Sequence, residues 1–365
     1  MIVPFTVPLS FPRFVSVSQL LVHLMSRFTH IDALRGIAAL MVCWFHMTHG
    51  GKLLGKGAAA EISSLGFLGV EAFFVISGFV IPLSMWRTGY RWADFGGFFV
   101  KRMLRVHPPF VAACVLALGL NFASSRTPGF AGNVSPHFFQ NAAVSLLSDS
   151  TYLSGVLGRQ WLLVVAWTLF IEVQFYLLAG LLLPVVRLER PRWLAVGLVG
   201  LACTAWMVTD SRWLFAYLPY FCLGWAAAWY QMAGSKRVLP WLAMVGVVAV
   251  LFAKVSLAAA VAAVASAAFI LFWKLRLPRA FAFLGTISFS LYLVHVPLGG
   301  RVVNLLGRYG DSGIAIWGII ILATMFSLAA AWLFWRYVEN PCHQWSRRWR
   351  AGAKQQPEPA VPQGT

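Results

Sequence analysis

The chain has 365 residues, of which 60% are hydrophobic and only 11% are charged, and its formal net charge is +18. Long apolar runs recur along its whole length, which excludes an ordinary soluble domain and predicts an integral membrane protein. Lipid requires every backbone polar group to be satisfied within the chain, and the runs are too long for barrel strands, so we expect an all-α bundle. The positive charge fits contact with anionic headgroups, so we expect the lipid bilayer as a partner and no nucleic acid.

Ten apolar segments are candidates for membrane spans. They cover residues 31–50, 66–86, 106–123, 161–186, 193–209, 213–232, 238–254, 256–273, 281–300 and 313–335. The boundary between the seventh and eighth is the least defined, because only Lys254 and Ser256 interrupt an alanine-rich run there. With a cytoplasmic N-terminus, twenty of the 29 lysines and arginines fall on the cytoplasmic side and eight on the other, with Arg35 inside the first span. This bias predicts a bundle of about ten transmembrane helices with both termini cytoplasmic.

The chain divides into three parts by composition. Residues 1–29 form an N-terminal lead-in, residues 30–342 contain the apolar segments, and residues 343–365 are expected to form a basic and then disordered cytoplasmic tail. The first 24 residues are interrupted by three prolines and lack a small-residue cleavage site, so they are a poor signal peptide. A short basic lead-in begins at Met25, and we hypothesise that the true start lies there rather than at Met1.

The first span, IDALRGIAALMVCWFHMTHG, carries two ionisable residues on one helical face. Arg35 and His46 are separated by about three helical turns, which corresponds to a rise of roughly 16 Å. Burying a guanidinium and an imidazole in hydrocarbon is costly, so both are candidates for function. A cation near one surface and a titratable base deeper inside suggest that a long anionic molecule lies along this helix. The alternative for His46 is a hydrogen-bonded histidine that stabilises helix packing.

The second span and the inner loop that follows it add three charged residues. Glu71, in GVEAFFVISGF, is either a functional carboxylate or an interfacial one near the outer surface. Arg102 and Arg105, in VKRMLRVHPPF, lie one helical turn apart and form a fork suited to bidentate phosphate binding. The alternative is a cytoplasmic cluster that only fixes topology. The following loop, at about residues 124–160, is rich in Ser, Asn, Gly and Pro and is large enough to help bind an acceptor.

Three further ionisable residues lie in the later spans or at the cytoplasmic end of the last one. Glu172, in AWTLFIEVQFYLL, needs an Arg or His partner, and it either orients a catalytic imidazole or ties helices together. His295, in ISFSLYLVHVPLGG, is interpreted as a satisfied structural histidine, with a catalytic role as the alternative. Glu339, in RYVENP, either pairs with the Arg102 and Arg105 cluster or lies among the headgroups. The five cysteines lack metal-ligand or paired spacing and are interpreted as apolar filler: Cys43, Cys114, Cys203, Cys222 and Cys342.

These stretches resemble, in order, the motifs of the acyltransferase 3 family of integral membrane O-acyltransferases. Arg35 and His46 match the family's Arg, ten residues, then His, and its opening Asp-Gly-Leu-Arg-Gly appears here as DALRG. GVEAFFVISGF is similar to the second-span signature, and Arg102 and Arg105 match its Arg-x-x-Arg. WTLFIEVQFYLL is similar to Trp-Ser-Leu…Glu…Phe-Tyr with threonine in place of serine, and ISFSLYLVHVP and VENP are similar to the later motifs. The resemblance covers about residues 30–342.

The resemblance implies transfer of an acyl group, usually acetyl, from cytoplasmic acyl-CoA to a hydroxyl of a polysaccharide, a lipid-linked precursor or a small molecule. It implies a bacterial cytoplasmic (inner) membrane location and no metal. Some relatives carry a second, esterase-like domain, which we do not expect here. The competing hypothesis is a transporter or scaffold that binds an anionic lipid or glycan without covalent chemistry.

The resemblance also suggests roles for single residues. His46 is expected to act as general base or as a transiently acylated nucleophile. Glu172 is our first choice for the group that orients the imidazole. Arg35, Arg102 and Arg105 are expected to bind the phosphates of CoA. Supporting roles are expected for four more residues: Asp32, Glu71, His295 and Glu339.

Overall fold

The computed structural model describes residues 29–126, 142–186, 188–208, 210–234, 237–273, 277–307 and 313–349. These residues form helices and turns, and no strand occurs among them. The helices are α1 (Thr29–Met47), α2 (Ala58–Ser64), α3 (Gly69–Arg87), α4 (Phe95–Ser125), α5 (Ala142–Ser150), α6 (Leu153–Leu157), α7 (Ala166–Leu182), α8 (Pro191–Cys203), α9 (Leu218–Met232), α10 (Val238–Lys254), α11 (Leu257–Phe272), α12 (Arg279–Val294), α13 (Gly300–Leu306), α14 (Gly313–Phe334) and α15 (Asn340–Arg348). The hypothesis of an alternative start and the prediction of a disordered tail both concern residues outside the described ranges.

Each of the ten predicted spans overlaps a helix. Four continuous helical segments among the described residues are long and apolar enough to cross a membrane: Ala58–Arg87, Trp92–Ser125, Arg279–Leu306 and Gly313–Arg348. Helices α7, α10 and α11 are apolar but shorter. The protein is therefore an all-helical membrane protein, as expected, while the count of ten spans and the cytoplasmic position of both ends remain predictions.

The uncertain boundary between the seventh and eighth segments is a real break. Helix α10 ends at Lys254 and α11 begins at Leu257. Ser256 takes the N-cap position of α11, where its side-chain oxygen accepts a hydrogen bond from the backbone N–H of Ala259 at 3.3 Å. This cap satisfies one of the free N–H groups at the helix start, which is why the alanine-rich run divides into two helices at this point.

Close packing of α1 on α12 depends on two glycines. A Cβ atom at Gly36 would lie only 2.6 Å from the backbone nitrogen of Gly285, and a Cβ at Gly285 would collide with the carbonyl oxygen of Asp32. Small residues allow helix backbones to approach in this way within membranes. The glycine of the DALRG stretch is therefore a packing residue, and the contact brings the ionisable residues of α1 against α12.

Two helices continue through a π-helical turn. One turn, His295–Gly299, joins α12 to α13, and the other, Trp335–Glu339, joins α14 to α15. Such turns are rare, shift the face on which the following side chains lie, and often occur at functional sites. Each of them contains a residue that the sequence singled out, His295 in the first and Glu339 in the second.

Candidate active site

Three arginines and a glutamate meet between α1, α3, α4 and α7. They line a cavity of about 80 Å³, called here the arginine cavity, together with Ser77 and Tyr176. The arginines are the predicted phosphate-binding residues Arg35, Arg102 and Arg105. Within the described residues, no hydrogen bond or ion pair occupies these guanidiniums. The cluster is therefore a cationic site with free donors, as an anionic ligand requires.

Neutral and aromatic groups hold the arginine cavity in shape. The Cζ atom of Arg102 lies 5.7 Å from the ring centres of Phe98 and of Tyr176, within the range of a cation–π contact. The hydroxyl of Ser77 donates to Oε1 of Glu172 at 3.0 Å. The glutamate is therefore fixed by α3 and faces the arginines rather than lipid.

Glu339 lies in the same region but is buried, with a relative exposure of 8%. Its Oε2 accepts hydrogen bonds from the backbone N–H of Ser290 at 3.1 Å and from the hydroxyl of the same residue. Arg105 and Arg35 are close enough to interact with it electrostatically, although neither forms an ion pair within the described residues. The alternative that Glu339 lies among the headgroups is therefore wrong, and its charge acts on the arginine cluster through space.

His46 is paired with His295. Nε2 of His295 lies 3.2 Å from Nδ1 of His46, and the ring centres are 5.0 Å apart. His295 is completely buried, and its Nδ1 lies 2.8 Å from the carbonyl oxygen of Leu291. Nδ1 of His46 also lies 2.9 Å from the carbonyl oxygen of Val42. Each imidazole is thus held by its own helix and by the other ring.

The hydrogen-bond partners assign the tautomers of both rings. Only a nitrogen bearing hydrogen can bond to a carbonyl oxygen, so Nδ1 of His295 is protonated and its Nε2 is an acceptor. Nδ1 of His46 then carries hydrogen, shared between the carbonyl of Val42 and Nε2 of His295. The assignment leaves the lone pair of His46 on Nε2, where a base or a nucleophile requires it.

A large cavity opens beside His46. This histidine cavity has a volume of about 570 Å³, within the usual size of a small-molecule site. It lies between the ends of α1, α4 and α13 and the segment before α7, and its polar lining residues are His46, His49, Asn121, Ser124, Arg301 and Asn304. A molecule bound there would meet the imidazole of His46 on one wall.

A third, small cavity lies between these two sites. This tyrosine cavity, of about 60 Å³, is lined by Arg35, Glu172, Thr168 and Tyr292 among others. The hydroxyls of Tyr292 and Thr168 lie 2.7 Å apart, and the ring centre of Tyr292 lies 6.0 Å from that of His295. A continuous series of polar side chains therefore leads from the arginines to the histidine pair.

The three cavities are stacked along the helices. The arginine cavity is lined by Arg35 of α1, Arg102 and Arg105 of α4, and Phe289 of α12. Later residues of α1 and α4, and the residues that follow α12, line the histidine cavity. These helices run in one direction, and α7, which meets the cavities in the reverse order, runs in the other. Both Arg35 and His46 consequently face α12 inside the bundle, roughly 16 Å apart along α1.

The structure corrects the role predicted for Glu172. Among the described contacts, His295 and not a carboxylate is the side chain hydrogen-bonded to His46. Glu172 bonds to Ser77 and shares its cavities with Arg35. The prediction failed because α7 runs antiparallel to α1, and this places Glu172 level with Arg35 and not with His46.

Two of the expected supporting residues lie away from the cavities. Asp32 is exposed in the first turn of α1, where a carboxylate interacts favourably with the helix dipole. Glu71 lies in the first turn of α3, close enough to Tyr217 and Tyr220 to interact with them electrostatically. Its Oε2 is buried and has no hydrogen-bond partner within the described residues. Neither carboxylate contacts the histidine pair.

The long loop before α7 contributes a wall of the histidine cavity. Its described part contains α5 and α6, and Asp149 in α5 is completely buried. Asp149 accepts hydrogen bonds from the hydroxyl of Ser154 and from the backbone N–H of Leu162, the latter at 2.8 Å. Leu162 and Leu163 line the histidine cavity, so this carboxylate positions its wall. Burial raises the pKa of the Asp149 carboxyl above its usual range.

Sequence reasoning missed several lining residues. Arg301 was used only for topology, and Asn121, Ser124 and Asn304 were not singled out. One signal was present, because Asn121 follows a long apolar run at the end of a predicted span. No group of three or more His, Cys, Asp or Glu suited to a metal ion is found in the part of the chain that the structure describes.

Comparison with known proteins agrees with this arrangement. A family model described as the acyltransferase domain of acyltransferase 3 proteins matches residues 28–336. The chain belongs to the acyltransferase 3 family. This acyltransferase 3 protein is also 33% identical over 91 residues to "Protein 2 in picA locus" of Rhizobium radiobacter. That match covers 25% of this chain and 44% of the relative, so the chain spans less than half of the relative's length. No solved structure matches this chain.

Proposed function

We propose that this membrane acyltransferase moves an acyl group, most simply acetyl, from acyl-CoA to a hydroxyl of a carbohydrate, a lipid-linked glycan or a small molecule. The observation that carries the proposal is the histidine pair at a 570 Å³ cavity, with a separate cluster of three arginines from α1 and α4 at the other end of the stacked cavities. The two sites match the two ends of the donor: phosphates for the arginines, and a thioester for the imidazole. The bacterial inner membrane is the proposed location.

The proposed chemistry is a direct transfer with His46 as general base. Nε2 of His46 takes the proton of the acceptor hydroxyl while the oxygen attacks the thioester carbonyl. The tetrahedral intermediate collapses, the C–S bond breaks, and the proton returns to the sulfur, so the products are an ester and free CoA. His295 accepts the Nδ1 hydrogen of His46 at 3.2 Å and stabilises the imidazolium that forms during the step.

Transient acylation of His46 is the rival form of the mechanism. In that case Nε2 attacks the thioester, the C–S bond breaks and CoA leaves as the thiolate. The acceptor hydroxyl then attacks the acyl-imidazole, its proton passes to the CoA thiolate, and the free imidazole is regenerated. Both forms need the same nitrogen, so the tautomer assigned above supports them equally. Acid-quench mass spectrometry of the protein after mixing with acetyl-CoA, without acceptor, distinguishes them, since only the second gives a His46 acyl adduct.

The donor path is closed in this structure. The arginine and tyrosine cavities hold about 80 and 60 Å³, far below the several hundred Å³ of usual ligand sites. Binding of the CoA arm would therefore have to separate the hydroxyls of Tyr292 and Thr168 and displace neighbouring side chains. We expect coenzyme A to raise the melting temperature of the purified protein, because a ligand that binds the native state stabilises it.

Replacement of His46 by alanine tests the proposal. We expect acetyl transfer, followed as CoA thiol release by detergent-purified protein, to fall by about 10²- to 10⁴-fold. The matched control is His30→Gln on the same helix, because Nε2 of His30 bonds to the carbonyl oxygen of Ile270, which a glutamine amide can also reach. Unchanged transfer in the His46→Ala protein, with coenzyme A still stabilising it, would exclude both mechanisms.

A further inference from the structure

The wall of the histidine cavity carries a cation that the proposed transfer does not use. Arg301, in the first turn of α13, lines this cavity and is partly buried. Its guanidinium donates hydrogen bonds to the side-chain oxygens of Ser124 and Asn121, both in the last turns of α4. These contacts use two of its five N–H donors and fix its orientation.

Among the residues that the structure describes, no carboxylate pairs with the charge of Arg301. Both of its hydrogen-bond partners are neutral, and none of the residues lining the cavity is an aspartate or a glutamate within the described part of the chain. A role as a helix cap does not account for Arg301, since its guanidinium bonds to side chains of α4 and not to the carbonyl groups at a helix end. A partly buried, preoriented guanidinium beside an open cavity is a site for an anionic oxygen group.

We infer that the acceptor carries an anionic group, a carboxylate or a phosphate, which pairs with Arg301. This inference rests on the proposed function and deepens it, because Arg301 and His46 line the same cavity. An acidic sugar or a sugar phosphate held at Arg301 presents its neighbouring hydroxyls to Nε2 of His46. The guanidinium thus selects among acceptors, while the imidazole carries out the transfer.

The arginine cavity and the Arg301 site are separate cationic sites with different ligands. Arg35, Arg102 and Arg105 lie at the other end of the stacked cavities, beyond Tyr292. Their proposed ligand is the donor, whereas Arg301 lines the histidine cavity, where the acceptor is proposed to bind. Loss of Arg301 is therefore expected to change acceptor kinetics and to leave donor binding unchanged.

The test compares three probes that differ in charge: glucose, glucuronate and glucose 1-phosphate. The full chain is purified in detergent, and transfer from labelled acetyl-CoA and the melting temperature are measured at constant ionic strength. For the wild type we expect both anionic probes to raise the melting temperature and to be acetylated with a lower KM than glucose. The two anions distinguish a carboxylate-bearing acceptor from a phosphate-bearing one.

Variants assign the effect to one side chain. Arg301→Gln is expected to raise the KM for the preferred anion by roughly tenfold or more, and to leave the KM for glucose and for acetyl-CoA unchanged. Arg301→Lys retains the positive charge but not the bidentate geometry of the guanidinium, so its KM for the anion should lie between those of the wild type and of Arg301→Gln. The matched control is Arg212→Gln, since Arg212 is paired with Asp210 and does not line the histidine cavity; it should behave as wild type.

A further variant covers the case in which Arg301→Gln does not fold. Asn304→Asp retains Arg301 and adds a carboxylate to the same cavity wall at nearly constant side-chain volume. It should weaken binding of the anionic probes and not of glucose. Equal effects of either substitution on charged and neutral probes, or wild-type protein whose melting temperature and KM do not depend on probe charge, would overturn the inference.

The proposed function has its own readout in the same experiment. Stabilisation by coenzyme A and His46-dependent consumption of acetyl-CoA test the transfer reaction without reference to acceptor charge. If both results are obtained but the KM and melting temperature do not depend on probe charge, only the assignment of an anionic acceptor is wrong. If they fail in the wild type while anions still bind at Arg301, the proposed transfer is wrong and the anion site remains.

Discussion

Substitution of His295 by leucine separates positioning from chemistry in the histidine pair. The residue is completely buried, and in the described part of the chain its ring nitrogens lie within hydrogen-bond distance of Nδ1 of His46 and of the carbonyl oxygen of Leu291. Leucine fills a similar volume and removes both nitrogens, while the carbonyl of Leu291 remains within the helical hydrogen-bond pattern. The fold is therefore expected to survive, and the specific loss is the acceptor that stabilises the imidazolium of His46.

The size of the effect follows from that one contact. A hydrogen bond to a group that becomes charged contributes about 1.5–3 kcal/mol, and each 1.4 kcal/mol corresponds to about a factor of ten in rate. We expect kcat to fall by roughly 10- to 150-fold. The loss is smaller than that expected for His46→Ala, because Nδ1 of His46 retains its contact with the carbonyl oxygen of Val42 at 2.9 Å.

Steady-state kinetics of CoA release by purified protein check this prediction. The KM values for acetyl-CoA and for the acceptor should stay at wild-type levels, since His295 lines none of the cavities that hold the two substrates. His295→Gln restores an acceptor oxygen near the position of Nε2 and should recover part of the lost kcat. A wild-type kcat in the leucine variant, or a glutamine variant no better than leucine, would refute the positioning role.

Two further predictions concern the donor site and the helix packing. Arg102→Gln and Arg105→Gln should each raise the KM for acetyl-CoA about tenfold with little change in kcat, because charge-assisted bonds to phosphate act on binding; a fall in kcat at unchanged KM would contradict the assignment. Gly36→Ala should destabilise the protein by about 1–3 kcal/mol and lower its melting temperature, since the added Cβ would lie 2.6 Å from the nitrogen of Gly285. Gly119→Ala, where a Cβ meets open space, is the matched control, and equal melting temperatures for the two variants would refute the packing argument.

The sequence determined the class of this protein and the residues to look at. Composition indicated a helical membrane protein. Lipid offers no hydrogen-bond partners, so the backbone N–H and C=O groups of the long apolar runs must bond within the chain, as they do in helices. The spacing of Arg35 and His46 fixed their direction and separation, since both lie on one continuous helix, α1. The order of the motifs indicated the acyltransferase 3 family, and the family comparison confirmed it.

Only the tertiary structure decided which side chains meet. Helical periodicity gives the face of a residue on its own helix but not its depth relative to residues of other helices, so Glu172 could not be assigned to the arginines rather than to His46. The partner of His46 is His295, which lies in a π-helical turn. The pattern of apolar residues does not predict such a turn, so the face on which His295 lies could not be derived from the sequence. Arg301 likewise reaches the histidine cavity because α13 continues beyond that turn, a contact set by packing across helices and not by local sequence.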